Sequence, residues 1–250
     1  YALNDSESVE LIDNNNINNL MVGFRSVDGE DVSLIGGWVS DNDYDINIYD
    51  NETTVTFKKV VDDKQITKAL SFYPDKYVIN VSVDLSAVQP WVSQDVSTVR
   101  WSGGLPLTEP NKNDEQTYYQ AIVFQGDETY SPKPKDPSEA RLERMDYPTD
   151  WVAIRTKYFI TALVPKKQAP GSEVLAIEDN GNKRYDVGVF FNVDRPFFYT
   201  LYLGPLEYGR IKQLGNNLDQ TMNFGWAFIR PISKAVHWFL LFLHNYIPNY

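Results

Sequence analysis

The 250-residue chain has no cysteine and only two histidines. Without cysteine it can hold neither a disulfide framework nor a thiolate metal site, and cysteine usage leaves the redox compartment open. Two histidines fall short of a three-histidine zinc centre. The sequence contains no G-x-S-x-G elbow and no Walker loop, so the parts for serine hydrolysis and phosphoryl transfer are missing. No run of 18 apolar residues occurs, hence no segment reads as a membrane span. The chain opens at Tyr1 without a signal peptide, and is expected to be a fragment of something longer.

Charge of one sign is scarce in a particular way. The formal net charge is -11, which repels phosphate backbones and argues against nucleic acid as a partner. Residues 205–250 hold two acids, Glu207 and Asp219, against four bases, Arg210, Lys212, Arg230 and Lys234, for a net +2. The first 204 residues therefore carry -13. An acidic body joined to a mildly basic, aromatic tail suits a domain standing on an anionic bilayer.

What the chain does have is hydrophobic mass, with 42% apolar residues, 16 Tyr and 13 Phe, enough for a sizeable core. Period-2 alternation is clearest at Tyr77, Ile79, Val81, Val83 and Leu85, with Asn80, Ser82 and Asp84 between them, which predicts a half-buried strand. Weaker strand patterns occur at Ile46/Ile48, Val55/Phe57, Ile66 to Phe72, Val96 to Trp101 and Tyr118 to Phe124. They continue at Trp151 to Val164, Val174 to Ile177, Tyr185 to Phe191 and Phe197 to Leu203. Turn chemistry at Tyr73-Pro74-Asp75, at Asp179-Asn180-Gly181-Asn182 and from Pro165 to Ser172 makes antiparallel hairpins. Leu105 to Gln116 and Ser131 to Ser138 read as surface loops. The expected architecture is an all-β antiparallel sandwich over residues 1–203 with a helical tail over residues 204–250.

In that tail, Pro205 fits a first helical position and Gly215 a stop, predicting a short helix over Leu206 to Leu214. Further on, Ile232, Ala235, Val236, Phe239, Phe242, Leu243 and Tyr246 follow i, i+3, i+4, i+7 spacing and form one apolar face. Arg230, Pro231, Lys234 and His237 interrupt the segment, so it does not span. Its aromatic loading suits an interfacial helix whose apolar side sinks into the headgroup boundary. A C-terminal helix docked on its own sandwich would share the same periodicity.

Two stretches, Asp150 to Pro165 and Tyr202 to Tyr250, resemble the large periplasmic domain of YidC-type membrane protein insertases of Gram-negative bacteria. The W-V-A strand is matched by Trp151-Val152-Ala153, and the Y-F-x-x-A-x-x-P strand by Tyr158-Phe159, Ala162 and Pro165. A G-P that opens a helix is matched by Gly204-Pro205. L-D before an aromatic-Gly-Trp is matched by Leu218-Asp219 and Phe224-Gly225-Trp226, and the following Pro by Pro231. These matches cover about a quarter of the chain; residues 1–149 match only in strand-rich character.

The resemblance implies a β-supersandwich related to galactose-mutarotase-like folds, hanging in the periplasm between two transmembrane helices of an inner-membrane protein. It implies no cofactor. The implied function is insertion and folding of nascent membrane proteins, alone or with the Sec translocon, through contacts with SecD/SecF. The residues expected to couple the domain to the membrane are Trp226, Phe228, Arg230, Lys234, Trp238, Phe239 and Phe242, with Arg230 and Lys234 reaching lipid phosphates.

Catalysis is not expected. Mutarotase chemistry needs a histidine pair and a carboxylate across a sugar ring, whereas His237 and His244 both lie on the polar face of the terminal helix. The run from Asp41 to Asp45, with Glu52 at the twelfth place, copies EF-hand spacing, but Ile46 replaces the turn glycine and a solvated acidic loop is the better account. Trp91, Trp101, Tyr118 and Tyr119 could line a peptide or sugar cleft, though aromatics are more often core. A carbohydrate-binding module on the same sandwich is the alternative reading.

Overall fold

The computed structural model describes residues 9–12, 19–42, 45–134, 140–222, 236 and 239–240. The first strands are β1 (Met21–Ser26), β2 (Asp31–Ser33), β3 (Val39–Ser40), β4 (Thr53–Val61), β5 (Lys64–Phe72) and β6 (Val78–Asp84). After a 3-10 turn at Ser86–Trp91 come β7 (Val92–Trp101), helix α1 (Lys112–Tyr118), β8 (Gln120–Gln125), β9 (Glu128–Tyr130) and β10 (Arg141–Met145). The last strands are β11 (Thr149–Arg155), β12 (Phe159–Pro165), β13 (Ser172–Asp179), β14 (Asn182–Asn192) and β15 (Phe197–Pro205). Helix α2 (Tyr208–Gln213) and a 3-10 turn at Leu218–Thr221 follow.

These strands make two antiparallel sheets, one of six strands in the order β10-β13-β14-β7-β1-β2 and one of nine in the order β3-β4-β5-β6-β15-β12-β11-β8-β9. The main core lies between them. Val22, Val99, Trp101, Val174, Val187 and Val189 from the smaller sheet meet Val81, Val83, Val123, Val152, Ile154, Leu163, Tyr199 and Leu201 from the larger. Each fully buried aliphatic side chain there contributes roughly 1.5–3 kcal/mol.

The middle of the nine-stranded sheet is buried on its outer face as well. Ile122, Phe124, Trp151, Ala153, Ile160, Ala162 and Tyr202 form a second cluster there, alternating along each strand with residues of the first. This explains why β8, β11 and β12 read as nearly continuous apolar runs, whereas β6, with Asn80 and Ser82 on its open side, alternates cleanly.

On the outer face of the six-stranded sheet one cross-strand row is charged. Gly188 on β14 sits between Arg100 on β7 and Glu173 on β13. Glu173 Oε1 accepts from Arg100 Nε at 2.9 Å and from Nη2 as well. A Cβ at position 188 would meet Glu173 Cγ and Thr98 Cγ2 at 2.9 Å, so the glycine makes room for the pair.

The predicted hairpins form where turn residues placed them, with Asn180 and Gly181 both left-handed between β13 and β14. Three expectations are corrected. Ile46 and Ile48 lie in no strand, because Asp45, Asn47 and Asp50 around them favour irregular backbone. Leu105 to Gln116 is not all loop, because the Asn111 side chain accepts from the Asp114 N–H at 3.2 Å and caps α1. Pro205 does not open a helix. It is the last residue of β15, paired with Phe159, and helical backbone begins at Tyr208.

Candidate membrane-coupling site

The outer face of the nine-stranded sheet is roofed by the segment from Leu206 to Met222. Ile211 in α2 and Leu218 in the following turn are buried against the second cluster, with Leu206, Leu214 and Met222 packed around them. Between the two pieces Gly215, Asn216 and Asn217 all take left-handed φ, which reverses the chain. Glycine, and to a lesser degree asparagine and aspartate, adopt that backbone at least cost. The segment therefore runs up the sheet along α2 and returns to the end where it began.

Hydrogen bonds at both ends tie this roof down. Leu206 N–H donates to the Tyr158 carbonyl at 2.7 Å, and the Tyr202 hydroxyl donates to the Pro205 carbonyl at 2.7 Å. At the far turn Trp151 Nε1 donates to the Asn216 carbonyl at 2.8 Å, while the Trp151 ring stacks on Phe124 with centroids 5.3 Å apart. On the return, Arg155 Nη1 donates to the Thr221 carbonyl at 2.8 Å and Arg155 Nε to the Thr156 carbonyl at 3.2 Å. Arg155 is 6% exposed, and its burial pushes the guanidinium pKa below its ordinary value. It still stays charged, because an arginine starts so high.

Beyond Met222, most of the predicted coupling residues fall outside the described residues: Trp226, Phe228, Arg230, Lys234, Trp238 and Phe242. Phe239 is described. It is helical and 52% exposed, as is Val236 at 51%, with Leu240 at 44%. These three stand at i, i+3 and i+4, so apolar side chains share a helical face that meets solvent, while Ile211 and Leu218 in the roof are buried.

Among the described residues, the other sites weighed on sequence do not assemble into chemistry. His237 and His244 lie outside the described residues. The Asp41 carboxylate accepts from the Thr56 backbone N–H at 2.9 Å, and Glu52 accepts from the Tyr73 hydroxyl at 3.1 Å, so each serves the β4 edge. Asp43 and Tyr44 of that run lie outside the described residues. Trp101 and Tyr119 are core, Trp91 packs partly against it, and Tyr118 alone of the four is exposed. Burial pushes the Tyr119 and Tyr185 phenols up to about 12, which keeps both neutral. Glu115, fully buried, was not singled out on sequence. Its carboxylate accepts from the backbone N–H groups of Thr108 and Glu109 at 2.8 and 2.9 Å, a loop-holding role. Among the described residues no helix is long and apolar enough to cross a membrane.

The family model of the YidC periplasmic domain matches residues 1–239. The chain belongs to that family. The membrane protein insertase YidC of Chlorobium luteolum is 29% identical over 196 residues, 73% of this chain and 34% of that protein. The insertase of Prosthecochloris aestuarii is 28% identical over 211 residues, covering 80% and 36%, and that of Chlorobium phaeovibrioides is 26% identical over 244 residues, covering 89% and 40%. The chain thus spans about a third of the length of the curated relatives it matches. Among solved structures, a GH36 alpha-galactosidase of Geobacillus stearothermophilus superposes with a TM-score of 0.40 at 10% identity, covering 83% of this chain and 33% of that one.

Among the described residues, several of those by which the chain resembles YidC-type domains now have physical roles. Trp151 and Ala153 face the roof while Val152 faces the sandwich core. Gly204 lies under the Tyr77 ring, where a Cβ would fall 2.5 Å from Cγ. Leu218 is the plug of the returning turn. The described part of that signature largely fastens Leu206–Met222 to the sheet.

Proposed function

We propose that this chain is the non-catalytic periplasmic domain of a membrane protein insertase, a β-sandwich body whose tail couples it to the membrane and its insertase core. The body assists insertion and folding of nascent inner-membrane proteins, alone or with the Sec translocon through SecD/SecF. The terminal helix lies in the bilayer interface, with Trp226, Phe228, Trp238, Phe239 and Phe242 buried among headgroups and Arg230 and Lys234 on phosphates. One observation carries the reading: Val236, Phe239 and Leu240 put an apolar helical stripe in solvent, where burying it in lipid would recover free energy.

Flotation of the chain with vesicles of phosphatidylethanolamine and phosphatidylglycerol tests this. The chain should float with the vesicles, and Phe239→Asp should abolish it while leaving the unfolding midpoint unchanged. A chain that stays at the bottom, or floats equally well with Phe239→Asp, overturns the coupling role. For the Sec partnership, photocrosslinking from the body to SecD/SecF in membranes should give specific adducts; none over the whole sandwich surface would remove that partner.

A further inference from the structure

Two connections cross between the sheets at one end of the sandwich, residues 166–171 from β12 to β13 and residues 193–196 from β14 to β15. Beside them, over the start of β15, opens a groove of about 600 Å³. Phe198 lines it and is 54% exposed, next to Ser82 on β6. The Lys166 N–H donates to the Phe198 carbonyl at 3.0 Å, which brings that lysine to the same place.

The charge of this groove runs against that of the body. Lys166, Lys167 and Arg195 line it and no carboxylate does, although the first 204 residues carry -13. Lys166 and Lys167 are exposed and enter no ion pair among the described residues, and Arg195 has only its neighbour Asp194, at 3.7 Å and itself well exposed. Other clefts differ. The one on the six-stranded sheet sets Asp31, Asp146 and Glu173 against its three arginines, and the one beside Leu206 has Glu109 and Glu207 and no base.

We infer that this groove docks exported loops of nascent membrane proteins, an acidic stretch lying on Lys166, Lys167 and Arg195 and an apolar side chain on Phe198. The inference deepens the proposed function and rests on the body meeting nascent chains. Loops that stay in the cytoplasm hold the excess of lysine and arginine, so exported loops carry Asp and Glu with few bases to balance them. The acidic body repels such a segment over most of its surface, and unpaired cations give it a place to settle. An exposed phenylalanine among the polar side chains of Ser71, Asn80 and Ser82 supplies the aromatic contact that polypeptide interfaces favour. A bilayer fits this place poorly. The groove lies about 23 Å along β15 from Pro205, whereas Arg155, in the row Arg155–Ile160–Gly204, holds Thr221 at the Pro205 end. Thr221, from which the tail continues, therefore stands at the opposite end of the sheet from the groove.

The test is photocrosslinking in the intact insertase during synthesis of a membrane protein with one acidic exported loop. p-Benzoylphenylalanine replaces Phe198 in one protein and, in another, Tyr158, exposed on the β11–β12 hairpin at the other end of the sheet. Adducts with the nascent chain are expected from position 198. Lys166→Glu with Lys167→Glu should cut their yield about fivefold, as should exchanging the loop's Asp and Glu for Asn and Gln. Lys58→Glu with Lys64→Glu makes the same charge change at exposed positions of β4 and β5 and should leave the yield unaltered. Adducts from 158 but none from 198 overturn the groove and leave the proposed function standing, whereas adducts from neither overturn both. The docking site is also overturned by a yield at 198 that ignores the loop's charge, by an equal loss in the Lys58 and Lys64 control, or by adducts there with lipid or another protein alone.

Discussion

Arg155 and Thr221 are joined by a 2.8 Å hydrogen bond from a buried guanidinium to a backbone carbonyl, across 66 residues of chain. A cation placed there ties the returning turn to the central strands. Both Arg155 donors in view, Nη1 and Nε, end on carbonyl oxygens, so the side chain acts as a clamp on backbone.

Arg155→Leu keeps an apolar stem and removes the donors, leaving the Thr221 carbonyl without its partner. Loss of about 2–3 kcal/mol is expected, since a charged hydrogen bond is exchanged for an unmet buried acceptor. Hydrogen exchange followed by mass spectrometry should show residues 206–222 opening far faster than β12. Equal protection in both would refute the clamp.

Trp151 holds the other end of the roof, and its two contributions separate. Trp151→Phe keeps a ring stacked on Phe124 but loses the Nε1 bond to Asn216, and should cost about 1 kcal/mol. Trp151→Ala also empties the fully buried site and should cost about 3–5 kcal/mol. Urea unfolding of the three proteins reads both steps; equal midpoints for the two variants would mean the indole packs nothing of value.

Much of this was legible beforehand, and the exceptions have physical causes. β6 and β7 announce themselves because one face is only partly covered, so period 2 shows. β10, running Arg-Leu-Glu-Arg-Met, hides because it is an edge strand with little to bury, and β2, β3 and β9 are only two or three residues long. Pro205 misled because a residue with fixed φ suits a strand end as well as a helix start, and only pairing with Phe159 decides. The roof was invisible as such, since Trp151 and Arg155 look like ordinary strand residues until Asn216 and Thr221 are brought onto them. That Val236 and Phe239 stand on one helical face was legible from helical spacing alone.

Gly204→Ala tests why glycine stands before Pro205. The new methyl would lie 2.5–2.7 Å from Tyr77 Cγ, Cβ and Cδ1, and must push that ring off its edge contact with Tyr202. A cost of about 1–2 kcal/mol is expected. The same substitution made in a Tyr77→Ala background should cost almost nothing, and a full penalty there would place the strain in the backbone instead.

Lys68 offers a pH test of the core edge. It lies on β5 beneath Trp38, donates to the Leu20 carbonyl at 3.1 Å, and burial pushes its ammonium down from 10.5 to about 8. The fold therefore disfavours the charged form. Below pH 8 the lysine is protonated folded and unfolded alike, and its burial costs the fold throughout that range. Between pH 8 and 10.5 the unfolded chain binds more protons, so this residue's contribution to stability rises with pH, and above 10.5 the penalty is gone. Lys68→Met should consequently be more stable than the parent at pH 7, by about 2 kcal/mol once the lost hydrogen bond is set against the relieved desolvation. The advantage should shrink through pH 8–10.5. Comparing the two proteins at each pH cancels the titration of every other group, so a difference in urea midpoint that stays constant from pH 7 to 10.5 would show that Lys68 is not desolvated in the fold.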